Sequence, residues 1–175
     1  QMRYLTILLG CLFIWSCKAP DMIRKNGLNF VSIGDEMPSP DLDSWQGVAK
    51  RDSAISEGGY SWDATILDFP NGDVVLESDF EGANRVNRIR VETDEFRVKK
   101  DLRVGMSFAD LKKHGKVWDI LYLDQYELLD VISTRQPTIH YLLRDLQGDA
   151  TRFSNGSISA DDISDEAKIV AIVIM

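Results

Sequence analysis

The chain has 175 residues, of which 44% are hydrophobic, and carries 20 basic against 28 acidic side chains for a formal charge of −8. That length suits one domain able to bury a core without staples. The acidic balance disfavours nucleic acid and anionic lipid surfaces as partners, since both need a basic face. Its two cysteines, Cys11 and Cys17, both fall in the first 17 residues, so the body excludes thiol catalysis, thiolate zinc sites and iron–sulfur clusters.

Residues 2–17 are uncharged apart from Arg3 and have the charged start, apolar middle and small-residue exit of a secretory signal. The run is too short to span a bilayer as a helix, which needs about 20 apolar residues. At its exit, Ile14, Trp15, Ser16 and Cys17 resemble the lipobox of bacterial lipoproteins: an aliphatic residue three before the cysteine and a small one directly before it. Trp15 departs from that pattern, and Leu8, Leu9, Gly10 and Cys11 form a second candidate with a shorter apolar region. The expectation is a signal peptide over residues 1–16, acylation of Cys17, and a polar tether over residues 17–27 that contains Pro20, Asn26 and Gly27. Removing residues 1–16 deletes only Arg3, which leaves 19 basic against 28 acidic residues and a charge of −9. Each buried acyl CH₂ contributes about 0.8 kcal/mol, so several chains on one cysteine make attachment effectively permanent.

Residues 28–175 are expected to form a single domain. Residues 28–33 alternate in part and suggest a short strand before Gly34, whereas residues 35–60, rich in Pro, Ser, Gly and Asp, suggest a long loop. Two runs, 62–69 and 73–78, flank Pro70, Asn71 and Gly72, a strong hairpin signal because Asn-Gly supplies the positive φ angles of tight turns. A further strand is expected over residues 86–93. In residues 96–104, Phe96, Val98, Leu102 and Val104, with Lys100 among them, fall on one face and Arg97, Lys99, Asp101 and Arg103 on the other, the period of a half-buried strand.

Ser107 as N-cap, with Asp110 three residues on, predicts a helix over residues 108–114 that Gly115 can end in the left-handed conformation. Strands are expected over residues 117–123, 127–133 and 138–143, then a polar loop over residues 144–167. Residues 168–175 are apolar on both alternate faces, as in a central strand covered on both sides. The whole predicts an α+β domain made mainly of antiparallel β-sheet, a meander with hairpins, with one short helix near residues 107–115 and a buried C-terminal strand.

The segment Val86, Asn87, Arg88, Ile89, Arg90, Val91, Glu92, Thr93, followed by Val104, Gly105, Met106, Ser107, Phe108, Ala109, Asp110, Leu111 and an apolar C-terminal strand, resembles a family of uncharacterised bacterial envelope lipoproteins. One member of that family is controlled by the envelope-stress sigma factor. The resemblance covers about residues 71–175 and implies a fold and an envelope location, but no catalytic residue.

Chemical motifs are sparse. His114 ends the expected helix, where the dipole favours it. His140 alternates with Ile139 and Tyr141 and so points away from their face; a proton-transfer role would need a nucleophile or carboxylate beside it. No Gly-rich phosphate loop, zinc-protease, serine-hydrolase or EF-hand spacing occurs. Asp161, Asp162, Asp165 and Glu166 could collect calcium oxygens but lack a known loop pattern, and a solvated turn accounts for them. The Asn155, Gly156, Ser157 acceptor pattern is read as a turn.

The expectation is therefore no catalytic, cofactor-binding or metal-binding residue and no cofactor. The chain is expected to be a non-enzymatic envelope lipoprotein held to the outer membrane through Cys17 and facing the periplasm. Its expected partners are the membrane, through the covalent lipid, and another envelope protein, with no nucleic acid. An alternative is an inhibitor presenting acidic residues 35–43 or 161–166 to a basic secreted enzyme such as a muralytic hydrolase. A third reading, a carboxylate hydrolase, would require a concave pocket holding acids of raised pKa.

Overall fold

The computed structural model describes residues 21–79, 81, 84–99, 101–115, 117–133, 136–145, 153 and 157–175. Cys17, the expected lipidation site, lies outside these residues, as do residues 1–16 and the start of the expected tether. The elements are β1 (Asp21–Met22), β2 (Ser44–Trp45), β3 (Val48–Glu57), β4 (Tyr60–Phe69), β5 (Gly72–Glu77), β6 (Arg88–Val91), β7 (Phe96–Arg97), α1 (Phe108–His114), β8 (Val117–Leu123), β9 (Leu128–Ser133), β10 (Gln136–Arg144) and β11 (Lys168–Ile174). Nine strands form one sheet in the order β2-β3-β4-β5-β6-β11-β10-β9-β8, and β1 pairs with β7 alone. Every pairing in the large sheet is antiparallel. The domain is thus α+β and mainly antiparallel sheet. α1 is too short to cross a bilayer, and no helix among the described residues is long and apolar enough to do so.

The apolar C-terminal run behaves as its composition dictates. β11 lies between β6 and β10, with Ile172 and Ile174 fully buried in the main core and Ala171 and Val173 buried on the opposite face. On that opposite face the small side chains are shielded by longer ones from the neighbouring strands rather than by a second layer. On the core side, Leu76, Ile89, Val131 and Ile139 from four neighbouring strands meet Phe108 and Leu111 of α1. Phe96 anchors the rest of this layer, with ring centroids 5.1 Å from Phe69 and 6.0 Å from Phe30.

α1 begins where the cap chemistry directs. The Asp110 N–H donates to Ser107 Oγ at 3.2 Å and the Ser107 N–H donates to Asp110 Oδ2 at 3.2 Å, a reciprocal capping box. Its end differs from expectation. Gly115 has φ 173° and ψ 173°, extended rather than left-handed, because the chain runs almost at once into β8.

Four further expectations are corrected. Residues 21–27 are not free tether: Ile23 is 4% exposed and β1 pairs with β7, so the folded domain begins before Leu28. Residues 28–33 are not a strand; the Leu28 N–H donates to the Val31 carbonyl at 2.7 Å, a tight turn that drives Leu28 and Val31 into the core. The expected loop over residues 35–60 contains the ten-residue β3, joined to β4 through Gly58 and Gly59, whose φ values of 60° and 87° suit a tight hairpin turn. Residues 96–104 are not one strand. The chain turns, so that Val98 bridges Leu102 with Asp101 at φ 66°, and both apolar residues still reach the core. The polar stretch 144–167 also contributes to that core, through Phe153 and Ile163.

Candidate functional site

The functional candidate is the face of the sheet that α1 does not cover. Alternation along each strand sends one set of side chains to the core and the other to this face. In register, Val75 of β5 opposes Arg90 of β6, Arg90 opposes Val173 of β11, Val173 opposes His140 of β10, and His140 opposes Ile132 of β9. The next row runs from Glu92 past Ala171 and Leu142 to Asp130. Arg90 and His140 therefore flank Val173 from either side.

This face is concave. The Gln125 side chain, in the 3-10 turn Asp124–Tyr126 between β8 and β9, donates from Nε2 to Glu57 Oε1 at the end of β3, a 3.0 Å bond. In a flat sheet, β3 and β9 would be six strand spacings apart, about 29 Å. The sheet is therefore rolled, and the rim residues of β3 come within reach of the β8–β9 turn. The resulting groove encloses about 370 Å³, with Ile55, Leu128, Leu142, Ala171 and Val173 among its apolar lining.

Charged groups surround this apolar surface in paired arrangements. Glu77 is fully buried, and its Oε2 accepts from Trp62 Nε1 at 3.0 Å and from Arg88 Nε at 2.9 Å. Arg88 also reaches Glu57 at 3.8 Å and stacks 5.5 Å from the Trp62 ring. Across the groove, His140 Nδ1 lies 2.9 Å from Asp130 Oδ2 and 3.1 Å from Oδ1, with both residues 9% exposed. Donating a hydrogen bond to the Asp130 carboxylate raises the imidazole pKa above 6.5, against the opposing effect of burial. At the rim, desolvation and then the Glu57 carboxylate raise the Tyr126 phenol.

Arg90 differs from these pairs. Its Nε is 3.0 Å from Glu92 Oε1, yet it is buried and has no partner in hydrogen-bond geometry among the described residues. Arg144 also lines the groove.

His140 does point away from Ile139 and Tyr141, and a carboxylate stands beside it. A carboxylate-oriented imidazole can accept or donate a proton, but among the described groove residues there is no serine, threonine or cysteine to serve as its nucleophile. His114 closes α1 with Nδ1 buried and without a partner among the described residues. The acidic group at 161–166 is largely committed to the fold. Asp162 accepts from the Ser159 N–H and hydroxyl at 2.8 Å each, Asp165 pairs with Lys112, and no metal-holding cluster occurs among the described residues. Asn155 and Gly156 lie outside the described residues.

Sequence reasoning missed Asp130, Glu77, Arg88 and Arg90 as site residues. The alternation of Arg88 and Arg90 with Ile89 and Val91 was visible, but the strands opposite them were not.

No known family matches the chain, and no curated protein sequence does. Among solved structures, the uncharacterized protein yfeY from Escherichia coli is similar, with a TM-score of 0.55 and 16% identity over 73% of this chain and 81% of that one. The likeness is one of fold.

Proposed function

We propose that the chain is a lipid-anchored envelope lipoprotein that acts as a binding module, held to the outer membrane through Cys17, facing the periplasm, and receiving its partner on the concave face of the sheet. The observation that carries this reading is the rolled sheet. Its second face is neither covered by a helix nor uniformly polar, but forms a groove with an apolar floor and fixed charges at its sides. Clefts of this composition are the usual form of binding sites. The anchoring part is supported by the N-terminal apolar run and the residues around Cys17.

Metabolic labelling of cells with a fatty-acid probe tests the anchor. The wild-type chain is expected to take up label and Cys17→Ala to lose it; an unlabelled wild type or a labelled variant removes this site. For the groove, a photoreactive residue at position 128 should form a specific adduct in intact cells, and one at position 97 on β7 should not. Equal or absent adducts would remove the groove from the reading. The inhibitor alternative has less support, since Asp162 and Asp165 are engaged within the domain.

A further inference from the structure

The column of groove residues along β11 is aliphatic, and the columns on either side of it carry cations. Met175, Val173 and Ala171 follow one another at every second position, a stripe about 14 Å long. β6 sets Arg88 and Arg90 along one side of the stripe, and β10 sets His140 and Arg144 along the other. Arg88 is matched by Glu77 and Glu57, and His140 by Asp130. Among the described residues the carboxylate paired with Arg90 is Glu92, and that contact leaves the buried Nε without an acceptor in hydrogen-bond geometry. A buried donor in that state is more stable when an acceptor reaches it. In a chain of net charge −8, the groove is locally balanced: Arg88, Arg90 and Arg144 match Glu57, Glu92 and Asp130, and His140 adds positive charge when protonated.

We infer that the groove binds an anionic amphiphile: a carboxylate or phosphate head placed over Val173 between Arg90 and His140, with a single aliphatic chain lying along the β11 stripe. The inference rests on the groove being a binding surface and adds the class of ligand. Arg90 and His140 approach from strands two spacings apart, about 10 Å between backbones. Their side chains can therefore reach opposite oxygens of one head group, and a guanidinium is suited to such planar oxyanions. The chain would pass the buried Ala171 and cover the half-buried Leu142 and Leu128, removing apolar surface from water.

The test is calorimetric titration of the purified full chain with decanoate, decyl phosphate, decanol and decylammonium, all below micelle-forming concentrations, and with acetate and inorganic phosphate. Decanoate or decyl phosphate is expected to bind, with decanol and decylammonium weaker by at least about tenfold. The stronger of the two anions identifies the head group. Acetate and inorganic phosphate should bind far more weakly than their alkyl counterparts. Arg90→Gln should weaken the anionic amphiphile about tenfold or more and leave decanol unchanged, and Arg97→Gln should change neither. Arg144→Gln provides a second groove variant should Arg90→Gln fail to fold, as judged by its thermal transition.

Equal affinity for decanol and decanoate would overturn the anionic head group while leaving the groove as a binding surface. Acetate or phosphate binding as tightly as the amphiphiles would overturn the aliphatic stripe. Binding by none of the six would overturn the inference, and the adduct at position 128 would then decide separately whether the groove engages any partner.

Discussion

Glu77 holds a carboxylate with no solvent exposure at a position where three donors converge on one oxygen, two from Arg88 and one from Trp62. Removing both charged partners of a buried pair is often tolerated, but removing one leaves a desolvated charge. Arg88→Met should therefore destabilise the domain by about 3–5 kcal/mol, and adding Glu77→Leu should recover much of that loss. Urea denaturation of the two variants checks the sign, and a double variant no more stable than the single one would show that the pair is not the cause. Neither residue is conspicuous in the sequence. A glutamate ending an apolar run and an arginine in an alternating one become partners only through the β5–β6 register, in which Glu77 faces Arg88. The capping pair Ser107 and Asp110 could be read directly because its geometry is local. Asp130 and His140 could not, since ten residues and a turn separate them.

At the scale of elements, what could be read were the segments whose signal lies within themselves. α1 follows from its cap and two apolar residues, β4 and β5 from the turn between them, and β11 from an unbroken apolar run. The failure at β3 has a physical reason. Only the two-residue β2 lies beyond it in the sheet, and six of its ten residues are exposed, so little burial imposed an alternating pattern on it. Its true signal was Gly58-Gly59, a hairpin dipeptide overlooked amid the polar residues around it.

The β4–β5 turn also differs in detail from an Asn-Gly type. Asn71 is not among the residues with positive φ, whereas Gly72, which closes the turn opposite Phe69, has φ 138°. A Cβ added at Gly72 would lie 2.5 Å from the Glu92 carbonyl oxygen, whereas one added at Gly59 would meet open space. Gly59→Ala should therefore cost about 1–2 kcal/mol through backbone conformation alone, and Gly72→Ala clearly more, because the neighbouring backbone must also move. Paired urea curves check the order, and equal losses would place the whole effect in the backbone torsion.

The molecule as a whole joins two titrations of opposite sign. On the acid side, hydrogen bonds from Lys113 and then from Ser107 hold the Asp110 carboxyl well below the usual carboxylate range. Its contribution is complete above 3.8 and is lost as pH falls through the lowered value. In the groove, the Asp130 carboxylate raises His140, and the other charged or titratable lining groups are Arg88 and Arg90 on β6, Glu92 beside them, Arg144 on β10, and Glu57 and Tyr126 at the rim. The protonated imidazole stabilises the fold fully below 6.5, and that stabilisation declines as pH rises through the higher folded value. The wild type should therefore be more stable than His140→Gln at mildly acidic pH, and the gap should close as the solution becomes alkaline. Asp130→Asn should remove most of the same pH dependence without removing the imidazole. Because β10 lies beside the central β11 in the rolled sheet, the difference should appear in global unfolding by urea rather than in local fraying. A gap that stays constant with pH would mean that His140 contributes by packing alone and that its proton is not linked to the fold.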